Sequence, residues 1–308
     1  MRSPAKQLGL GALVLVGVVA VALGLVARRY VVVQEVVLDG HLHALLNGGG
    51  NSVVLATGHG ALVVDTKLSL PARHLFERAL ALGHGHVLGI VDTHYHFDHT
   101  HGNPLYPPGT TIWAAPRVPQ LLRRFDPAFW KAAPASRMMP NQLVATPQEL
   151  DFDGERVRLV PLPPAHTGGD LAVLFEKERV LVTGDVVLDG FYPIFDLPGG
   201  GSIPGSVRAC DLLLSLPFDT IVPGHGPVGT RAQVVQMRAF DQALWNHAQT
   251  ALLAHETVAE AVRDAPASLR GRDDLPFFSS LPKDLTWATQ ELQACTARDD
   301  CPSLPPTP

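Results

Sequence analysis

The chain has 308 residues, 46% of them hydrophobic, and a formal net charge of -5 at pH 7. That length fits one large domain or two small ones, and the apolar content is ample for a packed core, which excludes a disordered chain. Lys and Arg are scattered along the sequence, leaving no electrostatic footprint for a phosphate backbone, so nucleic acid is excluded as the expected partner.

The first element, Leu8 to Ala27, is an unbroken run of 20 apolar or Gly residues. As a helix rising about 1.5 Å per residue it would span roughly 30 Å, the thickness of a bilayer's hydrocarbon core. Two readings stand: an uncleaved anchor, favoured by length, or a secretory signal cleaved near Ala20, Ala22 or Gly24. Arg2 and Lys6 before the run and Arg28 and Arg29 after it give only a slight positive-inside bias, towards an exported catalytic domain. A membrane-anchored chain with an extracytoplasmic domain is expected, with secretion as the alternative.

Tyr30 to Leu38 reads as a Val-rich strand, Gly48 to Gly50 as a turn, and Val53 to Thr57 with Ala61 to Asp65 as a hairpin. Ser69 followed by Pro71 starts a helix that ends at Gly83. Val87 to Val91 is a strand running directly into Thr93-His94-Tyr95-His96-Phe97-Asp98-His99. Further strands are expected at Arg156 to Leu162, Leu171 to Glu176, Val180 to Thr183 and Thr220 to Val222, with a helix at Val207 to Leu216. From Thr230 to about Asp264 the pattern is helical, and Pro302 to Pro308 is a Pro-rich tail. Strands alternating with helices, with a hairpin opening each half, imply two packed sheets with helices outside.

Chemistry concentrates at strand ends. Side chains in an extended segment alternate faces, so His94, His96 and Asp98 are expected on one side of the loop, with His99 breaking the alternation. One loop then serves two neighbouring metals. Imidazole and carboxylate suit zinc, and also iron or manganese. Three more candidates fall at predicted strand-to-loop transitions: His166 in Pro164-Ala165-His166-Thr167-Gly168-Gly169, Asp185 in Thr183-Gly184-Asp185, and His225 in Pro223-Gly224-His225-Gly226.

With these residues the chain resembles the metallo-β-lactamase superfamily, and more closely its glyoxalase-II-like branch than true β-lactamases. The resemblance runs from about Gly48 to Gly229, through Asn51-Ser52-Val53, Val64-Asp65-Thr66, the metal motif and the three later ligands. It implies an α/β fold, an αββα four-layer sandwich, with the site on one edge of two facing sheets. The expected layout is an anchor or signal helix at 1–29, a catalytic domain at 30–229, a helical extension at 230–301 and a tail at 302–308. The resemblance also implies that His94, His96 and His166 hold one metal, that Asp98, His99 and His225 hold a second, and that Asp185 bridges them. Two zinc ions would supply a metal-bound hydroxide, with Asp98 as the catalytic residue that orients it and accepts a proton. The expected reaction is hydrolysis of a small-molecule ester, thioester, lactone or amide. The alternatives are an iron-dependent persulfide-type oxidoreductase, whose ligand types are the same, or a true β-lactamase. Asp185 speaks against the last, since that branch generally lacks it.

Other residues carry smaller expectations. His101 stands where the family often has Gly, and is expected to begin a helix or support the ligands from behind. His84 and His86 read as a solvated turn, and His41, His43 and His59 as surface or turn residues. Asp65 is expected to support the metal loop without ligating. The aromatic loop Gly190 to Asp196 either walls the substrate pocket or packs against the sandwich. Further walls are expected from Arg117 to Gln142 and from the C-terminal helices. Gly199 to Ser202 is followed by no Lys of a phosphate loop. Cys210 reads as a buried small hydrophobe, and Cys295 and Cys301 either form a small disulfide or stay unpaired.

Overall fold

A computed structural model describes residues 32–275, 278–298 and 300–304. The apolar run at 8–27, the start of the first predicted strand and the end of the Pro-rich tail lie outside those residues. Among the described residues no helix is long and apolar enough to cross a membrane.

The first sheet takes its strands in chain order: β1 (Gln34–Asp39), β2 (Leu42–Leu46), β3 (Ser52–Thr57), β4 (Gly60–Val64), β5 (Val87–Val91), β6 (Ile112–Ala114) and β7 (Gln142–Leu143). Short turns make β1 to β4 antiparallel. A parallel pair needs a crossover, and α1 (Ser69–Leu82) provides it between β4 and β5. The second sheet runs β8 (Gln148–Phe152), β9 (Glu155–Pro161), β10 (Leu171–Phe175), β11 (Val180–Val182), β12 (Thr220–Val222) and β13 (Gly229–Thr230). Its parallel pair, β11 and β12, is bridged by α5 (Ile203–Leu214).

The inner strands are buried on both faces, which is why they read as continuous apolar runs. Leu42, Val53, Leu55, Leu62 and Val64 of the first sheet meet Val157, Leu159, Leu171, Val173 and Val182 of the second. The alternate residues face outward: Leu45, Val54 and Val63 pack on Leu75 and Ala79 of α1, and Ala172, Leu174 and Leu181 on Ala209 and Leu213 of α5. Each such Leu or Val contributes about 1.5 to 3 kcal/mol on burial. The result is helix, sheet, sheet, helix.

Two expectations need correction here. His43 is not a surface residue: it lies in β2, 6% exposed, with Nδ1 2.8 Å from Glu35 Oε1. Arg78 of α1 holds the same carboxylate, so an ionic cluster makes burial of the imidazole tolerable. The helix expected across Thr230 to Asp264 is two helices, α6 (Arg231–Leu253) and α7 (Val258–Arg263). Thr257 and Glu260 form a capping box that restarts the chain after His255, whose φ of 57° has left the helical region.

α8 (Leu281–Arg298) packs with α6 on Tyr192, Phe195 and Ile203. Cys295 of α8 is disulfide-bonded to Cys301, and Cys210 is buried in α5.

Candidate metal centre

The site forms where β5 ends. Val91 leads to the buried Asp92 and Thr93, the chain bends through Thr93, His94 and Tyr95, and His96 is extended, with φ -64° and ψ 149°. Phe97 then begins a single helical turn, α2 (Phe97–Thr100). The expected alternation of His94, His96 and Asp98 is therefore corrected: Asp98 and His99 sit on a helix, and that turn separates them from the first pair. His101 follows at the C-terminal end of this turn, not at a helix start. It stacks on Phe129 with ring centroids 3.8 Å apart, and its Nε2 lies 2.7 Å from Asp126.

Two clusters result. Ligand atoms of His94, His96, His166 and Asp185 lie within 4.8 Å of one another, as do those of Asp98, His99 and His225. Asp185 stands between them: its Oδ1 is 3.1 Å from His99 Nε2, and its Oδ2 is 3.4 Å from His225 Nε2 and 3.7 Å from His166 Nε2. His225 Nε2 is also 3.2 Å from Asp98 Oδ2. All seven sequence candidates are brought to one edge of the sandwich.

Neighbours set which nitrogen of each ring is free. His166 Nδ1 lies 2.6 Å from the Ile194 carbonyl, which only accepts, so Nδ1 carries the proton and Nε2 the lone pair. His99 Nδ1 faces Asp65 Oδ2 at 2.6 Å, which leaves Nε2 free in the same way. The Thr93 hydroxyl donates to Asp65 and so accepts from His94 Nδ1 at 3.1 Å. Those lone pairs meet no donor: His94 Nε2, His99 Nε2 and Asp185 Oδ1 are buried without a hydrogen-bond partner. His166 Nε2 instead faces His96 Nδ1 at 2.9 Å. Converging lone pairs and carboxylates, orphaned away from water, fit divalent cations.

The electrostatics agree. Burial and the neighbouring imidazoles push His94 well below its ordinary pKa, and burial first, then His96, takes His166 down to about 4. In the other cluster burial is outweighed by carboxylates. Asp185 and Asp98 raise His225 to about 9, and Asp185, Asp65 and Asp98 raise His99 well above its usual range. Asp98 falls to about 2 against burial, through His99 and His225. The carboxylates demand positive charge at this spot.

Several residues that shape the site took no individual role from the sequence, although Asn51 lies in the motif Asn51-Ser52-Val53 and Asp196 in the aromatic loop Gly190 to Asp196. Lys67 is fully buried, and its ammonium donates to the carbonyls of Leu45, Asn47 and Gly50 at 2.8, 2.6 and 2.7 Å, fixing the loop over Asp98. In that loop a Cβ on Gly50 would collide with the His99 ring, and one on Gly224 with Asp185 Oδ1. Asn51 Nδ2 donates to the carbonyls of Pro223 and Gly226, both at 2.9 Å, clamping the turn that carries His225. Asp170 accepts from the amides of Thr167 and Ala165 and so holds the His166 loop. Asp196 accepts from the Tyr95 hydroxyl and lies 3.5 Å from His96 Nε2. A polar side chain that serves a loop from behind has no periodicity to betray it.

The cavity beside the site matches the expected walls only at the Gly190 loop: no residue of 117–142 and none of the C-terminal helices lines it, and Gln34, Leu46, Asn47 and Gly49 do instead. Phe191 lines a 410 Å³ cavity with Asn51, Asp189, His225 and Leu275, whereas Tyr192 and Phe195 of the same loop pack under α6 and α8. Phe97 meets Phe278, 6.5 Å between centroids, and Tyr95 stacks on Phe125 at 5.5 Å. At the opposite end His84, His86 and His59 are exposed in turns. His41, in the β1–β2 turn, bonds Glu178 at 2.9 Å.

The sequence matches the family model described as Metallo-beta-lactamase superfamily over residues 45–225. Lactamase-like protein aptB of Emericella nidulans is 30% identical over 205 residues, covering 62% of this chain and 56% of that protein. An atrochrysone carboxyl ACP thioesterase, nsrC, of Aspergillus novofumigatus is 28% identical over 144 residues, 46% of this chain and 39% of that protein. The chain thus spans at most 56% of the length of these two relatives. Among solved structures, the inverting sec-alkylsulfatase Pisa1 of Pseudomonas sp. superposes with a TM-score of 0.70 at 14% identity, over 84% of this chain and 50% of that one. That likeness is one of fold.

Proposed function

The chain belongs to the metallo-beta-lactamase superfamily, and from that membership and the geometry of its site we propose a dinuclear metal hydrolase of the glyoxalase-II-like branch. The observation that carries the proposal is Asp185, whose two oxygens lie within 3.1 to 3.7 Å of imidazoles from both clusters. His94, His96 and His166 would hold one ion, Asp98, His99 and His225 the other, with Asp185 available to both. Zinc suits the donor set best, with iron or manganese as alternatives. Such ions would supply Lewis acidity and lower the pKa of bound solvent.

The chain's own residues do the rest. Asp98 is the proton acceptor: its carboxylate is more open than Asp185 and stands beside His225, which faces the 410 Å³ cavity. Asp65, Asp196 and the Ile194 carbonyl keep three rings aimed inward. Phe191 and Leu275 offer apolar surface in the cavity for an acyl group, so a small-molecule ester or thioester is the preferred substrate. The thioesterase relative supports a thioester.

We take 30–229 as the catalytic domain and 230–301 as a helical extension. The run at 8–27 anchors the chain in a membrane, and the Cys295–Cys301 disulfide suits an extracytoplasmic location.

The test assays purified, zinc-loaded protein on esters, thioesters, lactones and a lactam, with oxygen uptake on a persulfide in parallel. Ester or thioester turnover that falls at least 100-fold in His94→Ala supports the proposal. A metal-replete protein inert to all hydrolytic substrates, or a His94→Ala variant equal to wild type, overturns it. Oxygen uptake with bound iron would mark the oxidoreductase alternative, and faster lactam turnover a β-lactamase.

A further inference from the structure

Along the sequence the cations look scattered, but five that make no ion pair among the described residues gather in one segment of the structure, while Arg231, Arg270 and Arg272 bond backbone carbonyls and Arg208 is exposed on α5. Arg73, Arg78, Arg156, Arg158, Lys177, Arg179, Arg238, Arg263 and Arg298 all make ion pairs. Residues 117–137 carry Arg117, Arg123, Arg124, Lys131 and Arg137, all exposed, and among the described residues none of the five makes an ion pair. The one acid in that stretch, Asp126, is held by His101.

This segment, α3 (Val118–Phe125) and α4 (Pro127–Lys131), lies directly against the metal loop. Phe125 stacks on Tyr95 and Phe129 on His101, and the Arg124 guanidinium sits 4.8 Å from the Phe125 ring. Beside it the rim of the site is apolar: Phe97 is 42% exposed, Phe278 50% and Phe125 39%. Leu70, at the start of α1, is 85% exposed.

The described chain also begins at this edge. Gly48 sits between Val33 and Pro71, and Gly49 between Leu68 and Asp98, so β1 enters beside the start of α1 and the metal loop. Only the residues between Ala27 and Gln34 separate the apolar run from β1. At about 3.3 Å per residue they reach roughly 20 Å.

We propose that the catalytic edge docks on an anionic lipid bilayer, with Leu70, Phe97, Phe125 and Phe278 entering the interface and the 117–137 cations facing lipid headgroups. Exposed aromatic and aliphatic side chains beside unpaired Arg and Lys are the composition of an interfacial surface. The inference rests on the proposed anchor, whose position brings this edge, and not the opposite one, to the membrane. An acidic protein partner would use the cations without burying the apolar rim.

The test uses the full chain in vesicles of phosphatidylcholine with and without phosphatidylglycerol. A spin label is placed at Leu70→Cys, at Phe278→Cys or, as control, at His59→Cys in the β3–β4 turn of the far end. Accessibility to oxygen and to a water-soluble nickel complex is read by power saturation. In phosphatidylglycerol vesicles the labels at 70 and 278 should favour oxygen at least several-fold over the control label. Arg123→Gln/Arg124→Gln/Lys131→Gln should return them towards the control value, as should high salt. Labels at 70 and 278 as water-accessible as the control overturn docking, even if the chain sediments with vesicles. A chain that does not sediment overturns the anchor and docking together. The readout needs no turnover, so loss of the hydrolase reading would leave it standing.

Discussion

Asp65 and His99, 34 positions apart, are joined at 2.6 Å between Oδ2 and Nδ1, both fully enclosed. The other oxygen of Asp65 accepts from the Thr93 amide at 2.8 Å, so one carboxylate at the end of β4 sets both the direction of the His99 ring and the exit of the metal loop from β5. Asp65→Asn keeps the shape but gives His99 Nδ1 a weaker acceptor. We expect metal affinity to fall about 10- to 100-fold with far-ultraviolet circular dichroism unchanged. Competition with a chromophoric chelator measures it, and unaltered affinity would contradict the role given to Asp65.

Gly224 approaches Asp185 so closely that a methyl group has no room. Gly224→Ala is expected to displace the carboxylate or the His225 turn, at a cost of about 1 to 3 kcal/mol from overpacking. Thermal unfolding reads the cost, and the metal content of the same sample should drop. A variant with wild-type stability and metal content would show that the turn tolerates a Cβ.

Asn51 is a simpler case, because its amide makes two bonds to backbone carbonyls around His225. Asn51→Ala should cost about 1 to 3 kcal/mol and weaken binding at the cluster of Asp98, His99 and His225 more than at the other. Cobalt substitution followed by absorption spectroscopy distinguishes the two. Equal loss at both clusters would speak against a local clamp.

The seven candidate ligands were legible because His94, His96, Asp98 and His99 share one spaced motif after a strand, His166, Asp185 and His225 follow later strands, and the set resembles a family pattern. Their grouping into two clusters with Asp185 between them agrees with what the resemblance implied, but the local conformation was not legible. Extended spacing misplaced Asp98, since nothing in His94-Tyr95-His96-Phe97-Asp98-His99 announces a single helical turn, and its reward is tertiary: the Thr66 amide donates to the His99 carbonyl at 2.6 Å. Lys67 looks like any surface lysine until three carbonyls are folded around it. β8, Gln-Glu-Leu-Asp-Phe, is half exposed and too polar to read as a strand; pairing with β9 makes it one. The aromatic rim joins Phe97 to Phe278 across 181 positions, which no local pattern encodes.

Away from the centre, Asp241 of α6 offers a pH test. Burial pushes its carboxyl up to about 7, although the Ser206 hydroxyl donates to it at 2.6 Å. The folded state then binds a proton between pH 3.8 and 7 that the unfolded chain has released, so this group's stabilising effect is full in acid and is lost as pH rises through that window. Asp241→Asn keeps an acceptor for Ser206 without a charge. It should gain on the order of 2 to 4 kcal/mol at pH 8 and almost nothing at pH 4. Denaturant unfolding at the two pH values checks it, and an equal effect at both would contradict the shift.

The most direct test of the dinuclear centre is a zinc titration of metal-free protein with thioester hydrolysis followed in the same cuvette. With Asp185 shared between two clusters, activity should climb to its maximum only as the second equivalent binds, and Asp185→Asn should bind fewer equivalents and stay at least 100-fold slower. Full activity at one equivalent, or an Asp185→Asn variant that titrates like wild type, would contradict it.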